Sequence, residues 1–285
     1  MKITMLGTGN AAVTECYNTC FVLSEKDQHF LVDGGGGNGL LSQLKKAGLR
    51  WQDMREMLLT HKHIDHLLGM VWMVRMICQN MSRGTYRGEA VIYGHEEVID
   101  LLGSMAGQLF AAKEMAFLVR HQGTNHGAVT GQGAGKDGCA LHLVPVEDGE
   151  TRTILGRSVT FFDIRSAKAK QFGFSMELED GGKLTCCGDE PYNEYEKPYA
   201  QNSRWLLHEA FCLHSQADIF KPYQKHHSTV KDACELAQQL GVENLLLYHT
   251  EDKNIRERKE LYLAEGKSFF NGNLYVPDDL ETLEV

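Results

Sequence analysis

The chain contains His61-Lys62-His63-Ile64-Asp65-His66, in which three imidazoles and a carboxylate fall within six residues. Imidazole nitrogen is a ligand that suits Zn²⁺, and aspartate adds a hard oxygen. Two histidines at i and i+2 cannot share one helical face, because helical neighbours lie three or four residues apart. We therefore expect His61 and His63 in an extended turn, with Asp65 and His66 beginning a second cluster. The motif predicts two metal ions held by one loop, and a solvated histidine-rich turn is the weaker alternative.

The segments beside the motif predict a rigid support for it. Residues 54–60 read as a short apolar strand, and residues 67–74 are typical of the start of a buried helix. Functional side chains are commonly carried by loops that such a scaffold holds in place. The context on both sides therefore agrees with a metal site.

The composition is that of an ordinary globular protein and argues against two classes of function. Of the 285 residues, 42% are hydrophobic, which is enough for a sizeable core. The net charge is −9, whereas a general nucleic-acid binder is expected to carry a basic stripe. No apolar run reaches the roughly 18 residues of a membrane helix, so we predict no membrane partner. Lys168, Lys170 and Lys183 are candidate phosphate contacts, although solvated surface lysines are the better expectation.

The cysteines and the N-terminal residues indicate a reduced setting. None of the eight cysteines forms a Cys-x-x-Cys pair, and their spacing does not suggest a zinc finger. The chain enters a strand at Ile3 without the apolar core of a signal sequence. We therefore expect a cytoplasmic protein.

Apolar runs predict strands in two groups, each accompanied by helices. This pattern fits two β-sheets packed together with helices outside. A helix over residues 228–240 would have Ser228 or Thr229 as its N-cap, and residues 123–138 are the candidate mobile loop. The remaining predicted strands are residues 3–6, 20–23, 29–33, 91–94, 159–164, 173–178, 183–187 and 242–248, and the remaining helices are residues 40–47 and 96–105.

Two more candidate ligands follow apolar strands in the second half of the chain. Asp189 comes just after the strand predicted at 183–187, and His249 comes just after the one at 242–248. Each is weak evidence alone, because an Asp after a Gly is usually a turn residue. Together with the motif, the two residues supply the side chains that two zinc ions need.

The chain resembles the metallo-β-lactamase superfamily over nearly its whole length. Residues 60–69 read Thr-His-Lys-His-Ile-Asp-His-Leu-Leu-Gly and match the signature of that superfamily. His208-Glu209-Ala210, then His227-Ser228-Thr229 and then His249 are similar to the C-terminal half of ribonuclease Z-like phosphodiesterases. The resemblance implies an α+β fold, the four-layer αβ/βα sandwich, as a single domain over residues 1–285. The metals would lie in the cleft between the sheets.

The resemblance also implies a role for each matching residue. His227, with Glu209 near it, would donate a proton or stabilise the transition state, and Asp65 is counted with them as catalytic. The implied cofactor is one or two Zn²⁺ ions, with Mn²⁺ or Fe²⁺ as other choices. The implied metal ligands are His61 and His63 for the first ion, Asp65, His66 and His249 for the second, and Asp189 as the bridge between them.

One position departs from the family pattern. The pattern expects a further His ligand of the first metal before Gly173-Phe174, and by position Arg165 stands there. A guanidinium stays protonated and cannot coordinate a metal. Asp163 is a substitute if the register shifts, and His142 is another that lies one strand too early. We expect a weakened first site. The alternatives are an empty site with the Arg165 charge in place of the ion, and an Arg165 that grips an anionic substrate.

A second departure concerns the substrate. Family members that process transfer RNA carry a long arm where residues 173–189 predict a direct hairpin, with Asp180-Gly181-Gly182 as its turn. Together with the acidic net charge, this favours a small anionic ester, such as a small phosphodiester or a cyclic nucleotide, over an extended nucleic acid. The loop at 123–138 is a candidate lid, and a surface insertion is equally expected.

The favoured function is therefore zinc-dependent hydrolysis of a small phosphodiester. The first alternative is hydrolysis of another ester, a sulfate ester or a lactam. The second is a metal-binding protein that has reduced or lost turnover through Arg165. Relatives often form homodimers, and Trp72 is a candidate contact, although burial of Trp72 in the core is the better expectation.

Overall fold

The strands of the computed structural model form two sheets. The structure describes residues 1–121 and 138–285, so the candidate lid at 123–138 lies outside the described residues except for Gly138. The first sheet has eight strands in the order β15-β1-β2-β3-β4-β5-β7-β6. These strands are β1 (Lys2–Gly7), β2 (Cys20–Glu25), β3 (Gln28–Val32), β4 (Met54–Leu58), β5 (Glu89–Gly94), β6 (Leu118–Arg120), β7 (Ala140–Pro145) and β15 (Thr282–Glu284).

The second sheet has seven strands in the order β14-β13-β12-β11-β10-β9-β8. Strands β10 and β11 form an antiparallel hairpin whose turn is closed by the amide of Leu178, which donates to the carbonyl of Gly182 at 2.8 Å. The predicted direct hairpin is therefore confirmed. The seven strands are β8 (Thr151–Ile154), β9 (Arg157–Asp163), β10 (Phe172–Glu177), β11 (Lys183–Cys186), β12 (Trp205–Glu209), β13 (Asn244–Tyr248) and β14 (Asn273–Tyr275).

Helices cover the outer face of each sheet. Thr229 is the N-cap of α7, since its hydroxyl accepts from the amide of Asp232 at 3.3 Å while the Asp232 carboxylate reaches back to the Thr229 amide. No helix in the described part of the chain has the length and apolar character to cross a bilayer. The helices are α1 (Gly39–Lys46), α2 (Ile64–Ser82), α3 (Glu96–Leu109), α4 (Ala112–Met115), α5 (Lys197–Ala200), α6 (Ala217–Phe220), α7 (Val230–Gln239) and α8 (Arg258–Gly266).

The alternation of side chains along the strands explains the layers. In β2, Phe21 and Leu23 pack between the two sheets, whereas Cys20 and Val22 pack against the helices. Successive side chains of a strand point to opposite faces, so a strand buried on both faces is apolar throughout. A third core lies between the second sheet and helices α7 and α8. The order helix, sheet, sheet, helix confirms the predicted α+β four-layer sandwich.

Most predicted elements are confirmed, and one expectation about the core is wrong. The predicted strands fall within two residues of observed ones, whereas α2 starts three residues before the predicted helix and α3 ends four residues after it. Strands β7 and β12 and the short edge strands β6, β8, β14 and β15 were not predicted. Trp72 was expected in the core, but it is 36% exposed on α2. The homodimer and the single domain over 1–285 stay predictions.

The parallel strands bring the candidate residues together. Strands β3 and β4 run parallel, and so do β11, β12 and β13. Parallel strands end at the same edge of a sheet, where such folds place their ligands. The two sheets are joined near these strand ends by a hydrogen bond, in which the amide of Phe172 donates to the carbonyl of Thr60 at 3.1 Å. The loops that follow these strands therefore face one another across the sheet interface.

Helix α2 lies close against the turn that follows β3. The amide of Gly34 donates to the carbonyl of His66 at 2.9 Å, and the amide of Gly69 donates to the carbonyl of Gly35 at 3.0 Å. A Cβ on Gly69 would lie 1.8 Å from the carbonyl oxygen of Gly34. Only a residue without a side chain lets the helix approach this closely, so Gly69 fixes the position of the first turn of α2.

We expect Gly69→Ala to lower the free energy of unfolding by about 3 kcal/mol, because backbone must move to admit the methyl group. The matched control is Gly107→Ala in α3, where an added Cβ meets nothing within 4 Å. That change should be neutral or stabilise by about 1 kcal/mol through helix propensity. Urea denaturation followed by circular dichroism measures both. Equal stability of Gly69→Ala and the unaltered protein would contradict the close approach.

Candidate metal centre

The histidine motif occupies the loop between β4 and α2. His61 lies between β4 and α2, and His63 is the N-cap residue of α2 with an extended backbone. Asp65 and His66 lie in the first turn of that helix and are buried. The Nε2 of His61 is 2.8 Å from the Nδ1 of His63. The predicted division of the motif into an extended part and a helical part is therefore confirmed.

The carboxylate of Asp189 lies at the centre of the candidate residues. Its Oδ2 is 3.6 Å from the Nε2 of His61, 3.4 Å from the Nε2 of His66 and 3.4 Å from the Nε2 of His249. Asp189 follows β11 and His249 follows β13, so both come from the second sheet. The Nε2 of His249 is also 3.5 Å from Oδ2 of Asp65. One carboxylate oxygen thus faces side chains from both halves of the motif.

These side chains fit a divalent metal. The Nε2 atoms of His66 and His249 are buried and have no hydrogen-bond partner among the described residues, although imidazole nitrogens are normally satisfied when buried. Imidazole and carboxylate together are a donor set of divalent transition metals. In four groups the candidate ligand atoms all lie within 4.8 Å of one another: His61, His63 and Asp189; Asp65, His66 and His249; Asp33, His61 and His66; Glu209, His227 and His249.

We call His61, His63 and Asp189 the first group, and Asp65, His66 and His249 the second group. They coincide with the residues that the sequence assigned to the first and second metal. The Oδ2 of Asp189 also faces the imidazoles of the second group, as a bridging carboxylate requires.

Burial and charge set the protonation of these groups. Burial lowers the pKa of His61 well below its usual value and also lowers the pKa of His63, so both are neutral imidazoles with a free lone pair. Burial acts to raise the pKa of Asp189, but His61, His66 and His249 hold it well below its usual range. Ionised carboxylate and neutral imidazole are the forms that bind metal.

Asp33 was missed by the sequence reasoning and holds the motif in place. Its Oδ2 accepts from the Nδ1 of His66 at 2.8 Å, and its two oxygens accept from the amide and the hydroxyl of Thr60. Asp33 has φ +58°, a left-handed conformation that Asp tolerates better than most residues. The hydrogen bond at Nδ1 leaves Nε2 of His66 free to face the centre. A buried Asp directly after a strand was the available signal.

A second titratable pair lies beside the second group. The Oε2 of Glu209, at the end of β12, is 3.6 Å from the Nδ1 of His227. The imidazole of His227 stacks on Phe211, and its centroid is 5.1 Å from that of His249. The Oε1 of Glu209 accepts from the amide of Ser228. The structure therefore places His227 and Glu209 next to each other at the edge of the candidate metal centre.

Arg165 does not lie where the sequence reasoning placed it. Its guanidinium pairs with the carboxylate of Asp148 at 2.9 Å and is 52% exposed. Strand β9 ends at Asp163, and Arg165 follows with φ +56°, so strand alternation no longer governs its side chain. The two alternatives that put the Arg165 charge in the cleft are wrong, whereas reduced or lost turnover stays a prediction.

The two substitutes for the missing imidazole also lie elsewhere. The Nδ1 of His142, on β7, is 2.9 Å from the Nε2 of His121, and Asp163 accepts from the backbone of Arg165. The side chain that lies next to Asp189 is instead the buried Gln171, whose Nε2 donates to the Oδ1 of Asp189 at 2.6 Å. Gln171 thus turns the other oxygen of Asp189 towards the imidazoles. Sequence reasoning missed it because nothing marks a glutamine as the partner of a distant aspartate.

The whole architecture matches known proteins. A family model described as Anti-Pycsar protein Apyc1 matches residues 1–266. The chain belongs to the Anti-Pycsar Apyc1 family. Ribonuclease Z of Rippkaea orientalis is 26% identical to this family member over 320 residues, covering 100% of the chain and 98% of the relative. Ribonuclease Z of a Nostoc species is 24% identical over 305 residues, covering 95% and 91%.

Solved structures share the fold of this Anti-Pycsar Apyc1 family member. The metallo-beta-lactamase fold protein YhfI from Bacillus subtilis superposes with a TM-score of 0.74 at 16% identity, covering 100% of the chain and 99% of that protein. The short form of human tRNase Z gives 0.67 at 20% identity, with coverage of 100% and 99%. The chain is therefore a ribonuclease Z-like metal-dependent hydrolase of the metallo-β-lactamase superfamily.

We expect Asp33→Asn to weaken the affinity for a divalent ion about 10- to 100-fold, the usual effect of losing the partner that orients a ligating imidazole. Competition for Zn²⁺ against a chromophoric chelator measures the change. The control is Asp27→Asn, which alters an exposed carboxylate in the turn between β2 and β3. Unchanged affinity in Asp33→Asn would show that Asp33 does not orient His66 for the metal.

Proposed function

We propose that this family member is a zinc-dependent phosphodiesterase that acts on small phosphodiesters such as cyclic nucleotides. The observation that carries the proposal is the position of Asp189, whose one carboxylate oxygen lies within 3.6 Å of three imidazoles. Beside this centre stands the pair of His227 and Glu209, which acts as a proton donor and its partner. Two adjoining ion sites and a proton donor are the parts that phosphodiester hydrolysis needs.

We assign the first ion to the first group and the second ion to the second group, with Asp189 shared. Bound zinc would polarise the phosphate and make a nucleophile available from water near neutral pH. The second group has two imidazoles and a carboxylate besides Asp189, whereas the first group has only His61 and His63. We therefore still expect the first ion to be held more weakly than the second. The reason is that the first group lacks a third imidazole, and Arg165 plays no part in it.

His227 supplies the proton for the leaving oxygen in this proposal. Its Nδ1 is 3.6 Å from the Glu209 carboxylate, so the ring turns its Nε2 away from Glu209. That Nε2 is 3.4 Å from the Nζ of Lys168. Donation from Nε2 to a departing alkoxide therefore needs no movement of the Glu209 pair.

Three features support a small substrate. The β10–β11 hairpin is short, and it stands where the resemblance to transfer-RNA processing proteins implies an arm. The net charge of −9 opposes the approach of a polyanion. The relatives are named ribonuclease Z, and a neighbour of similar fold is described as a diphosphatase from the PhnP family. These names agree on phosphate chemistry and differ in substrate size.

We expect the zinc-loaded protein to hydrolyse bis(p-nitrophenyl) phosphate, and Asp65→Ala to lower kcat/KM about 100-fold or more. Loss of a ligand should exceed the roughly 10- to 100-fold effect of losing an outer partner. Release of p-nitrophenolate measures the rate, with Asp27→Ala as a control at an exposed carboxylate. Equal activity of Asp65→Ala and the unaltered protein would exclude this metal centre as the source of turnover. Turnover of carboxylate or sulfate esters alone would favour the other hydrolase activities.

We expect the effect of His227→Ala to depend on the leaving group. For a cyclic nucleotide, whose leaving group is an alkoxide, kcat should fall about 10²- to 10⁴-fold because the proton donor is lost. Nitrophenolate departs without protonation, so bis(p-nitrophenyl) phosphate should lose much less. The control is His226→Asn at an exposed left-handed position that Asn tolerates. Equal losses with both substrates would contradict proton donation by His227.

A further inference from the structure

Lys168 lies beside the candidate metal centre. It lies in the loop between β9 and β10, and its Nζ is 3.4 Å from the Nε2 of His227. Its side chain is only 24% exposed, which is low for a lysine. Lys168 as a whole residue is exposed, as expected of a surface lysine, but its ammonium contacts His227. Lys183, by contrast, donates to the carbonyl of Pro198 at the opposite end of β11 from Asp189.

The loop is built to hold Lys168 in this position. The hydroxyl of Ser166 accepts from the amides of Lys168 and Ala169, each at 3.1 Å. The carboxylate of Glu190 accepts from the amide of Ala167 through Oε2 at 3.2 Å. Because Glu190 directly follows Asp189, the same turn that carries the bridging carboxylate also anchors the loop. The backbone that carries Lys168 is therefore held next to the turn of Asp189 and Glu190.

The charge of Lys168 is only partly used within the protein. Its Nζ is 3.9 Å from the Oε1 of Glu190, a distance longer than a hydrogen bond. That oxygen is buried and has no hydrogen-bond partner among the described residues. Glu190 therefore compensates the charge of Lys168 without occupying its donors. An ammonium has three N–H groups, so donors remain available for a ligand.

A phosphodiester is a monoanion that must approach several carboxylates. Asp65 and Asp189 lie in the metal centre, and Glu190 and Glu209 lie beside it. A neutral ester would meet no such repulsion. The ammonium of Lys168, beside the proton donor His227, offsets the negative field of these carboxylates near the leaving group of the substrate. Lysine binds phosphate oxygens as a compact point charge, and a charge-assisted hydrogen bond is about twice as strong as a neutral one.

We propose that Lys168 binds a non-bridging phosphate oxygen of the substrate, and that this contact selects anionic phosphodiesters over neutral esters. The inference rests on the proposed function and names the residue that recognises the charge of the substrate. Glu190 is the positioning residue that keeps Lys168 beside the metal centre while no substrate is bound. His227 keeps its separate role, because the substrate oxygen that Lys168 holds is not the one that departs.

The test compares Lys168→Gln with the matched control Lys170→Gln, whose ammonium lies over the ring of Phe172, 5.6 Å from its centroid. For bis(p-nitrophenyl) phosphate, Lys168→Gln should raise KM about 10- to 100-fold, the fold-change of one charge-assisted hydrogen bond. The value of kcat should stay within about threefold of that of the unaltered protein. The reason is that the substitution weakens binding of the substrate and of the transition state equally. Lys168→Arg should restore most of the affinity, and Lys170→Gln should leave KM unchanged.

A binding measurement separates this inference from the proposed function. Inorganic phosphate titrated calorimetrically into the zinc-loaded protein should bind about 10-fold more weakly to Lys168→Gln, with the zinc content unchanged. If no phosphodiester is hydrolysed but this loss is seen, the proposed function fails and the anion contact stands. If KM and the phosphate affinity both stay within twofold of the unaltered protein, the inference is overturned. A fall in kcat with KM unchanged would also overturn it, because Lys168 would then act through His227 alone.

Discussion

The Asp189 carboxylate at the junction of the two sheets is the contact on which the rest of the site depends. It is 2% exposed, and one of its oxygens faces His61, His66 and His249. A carboxylate buried at this depth is costly unless its charge is compensated. Burial keeps His61 and His63 neutral, and it acts to lower the pKa of His66 as well, but Asp65 and Asp33 raise the pKa of His66 well above its usual value. A divalent cation bound here would compensate the carboxylates in place of that proton, since metal binding releases protons from its ligands.

The fold delivers these side chains from opposite sheets at the ends of parallel strands. Asp33 and His61 follow β3 and β4, and Asp189 and His249 follow β11 and β13. Two of these positions, Asp33 and His249, have left-handed backbone conformations that ordinary residues avoid. Such strain is tolerated where the surrounding structure fixes the residue. For Asp33, close packing of α2 at Gly69 and the hydrogen bonds of the Asp33 carboxylate provide that fixation.

Residues marked by a local motif or by the end of an apolar strand were predicted from the sequence. Residues whose role depends on a partner distant in the chain were missed. The motif at 61–66 could be divided correctly because helical and extended spacing differ. Asp189 and His249 were found because each follows an apolar strand. Arg165 was misplaced because its place was taken from the position of the His ligand in the family pattern, and the sequence does not specify that the chain leaves β9 at Asp163 before reaching it. Gln171 could not be found, since its role depends on a partner brought near only by folding.

The most direct test of the account is an anomalous-difference map at the zinc edge from crystals of the zinc-loaded protein. We expect two peaks, one on each side of the Asp189 carboxylate. The stronger peak should lie beside Asp65, His66 and His249, and the weaker beside His61 and His63. A map with no peak in contact with Asp189, or with zinc only at Glu209 and His227, would contradict the assignment of the metal centre.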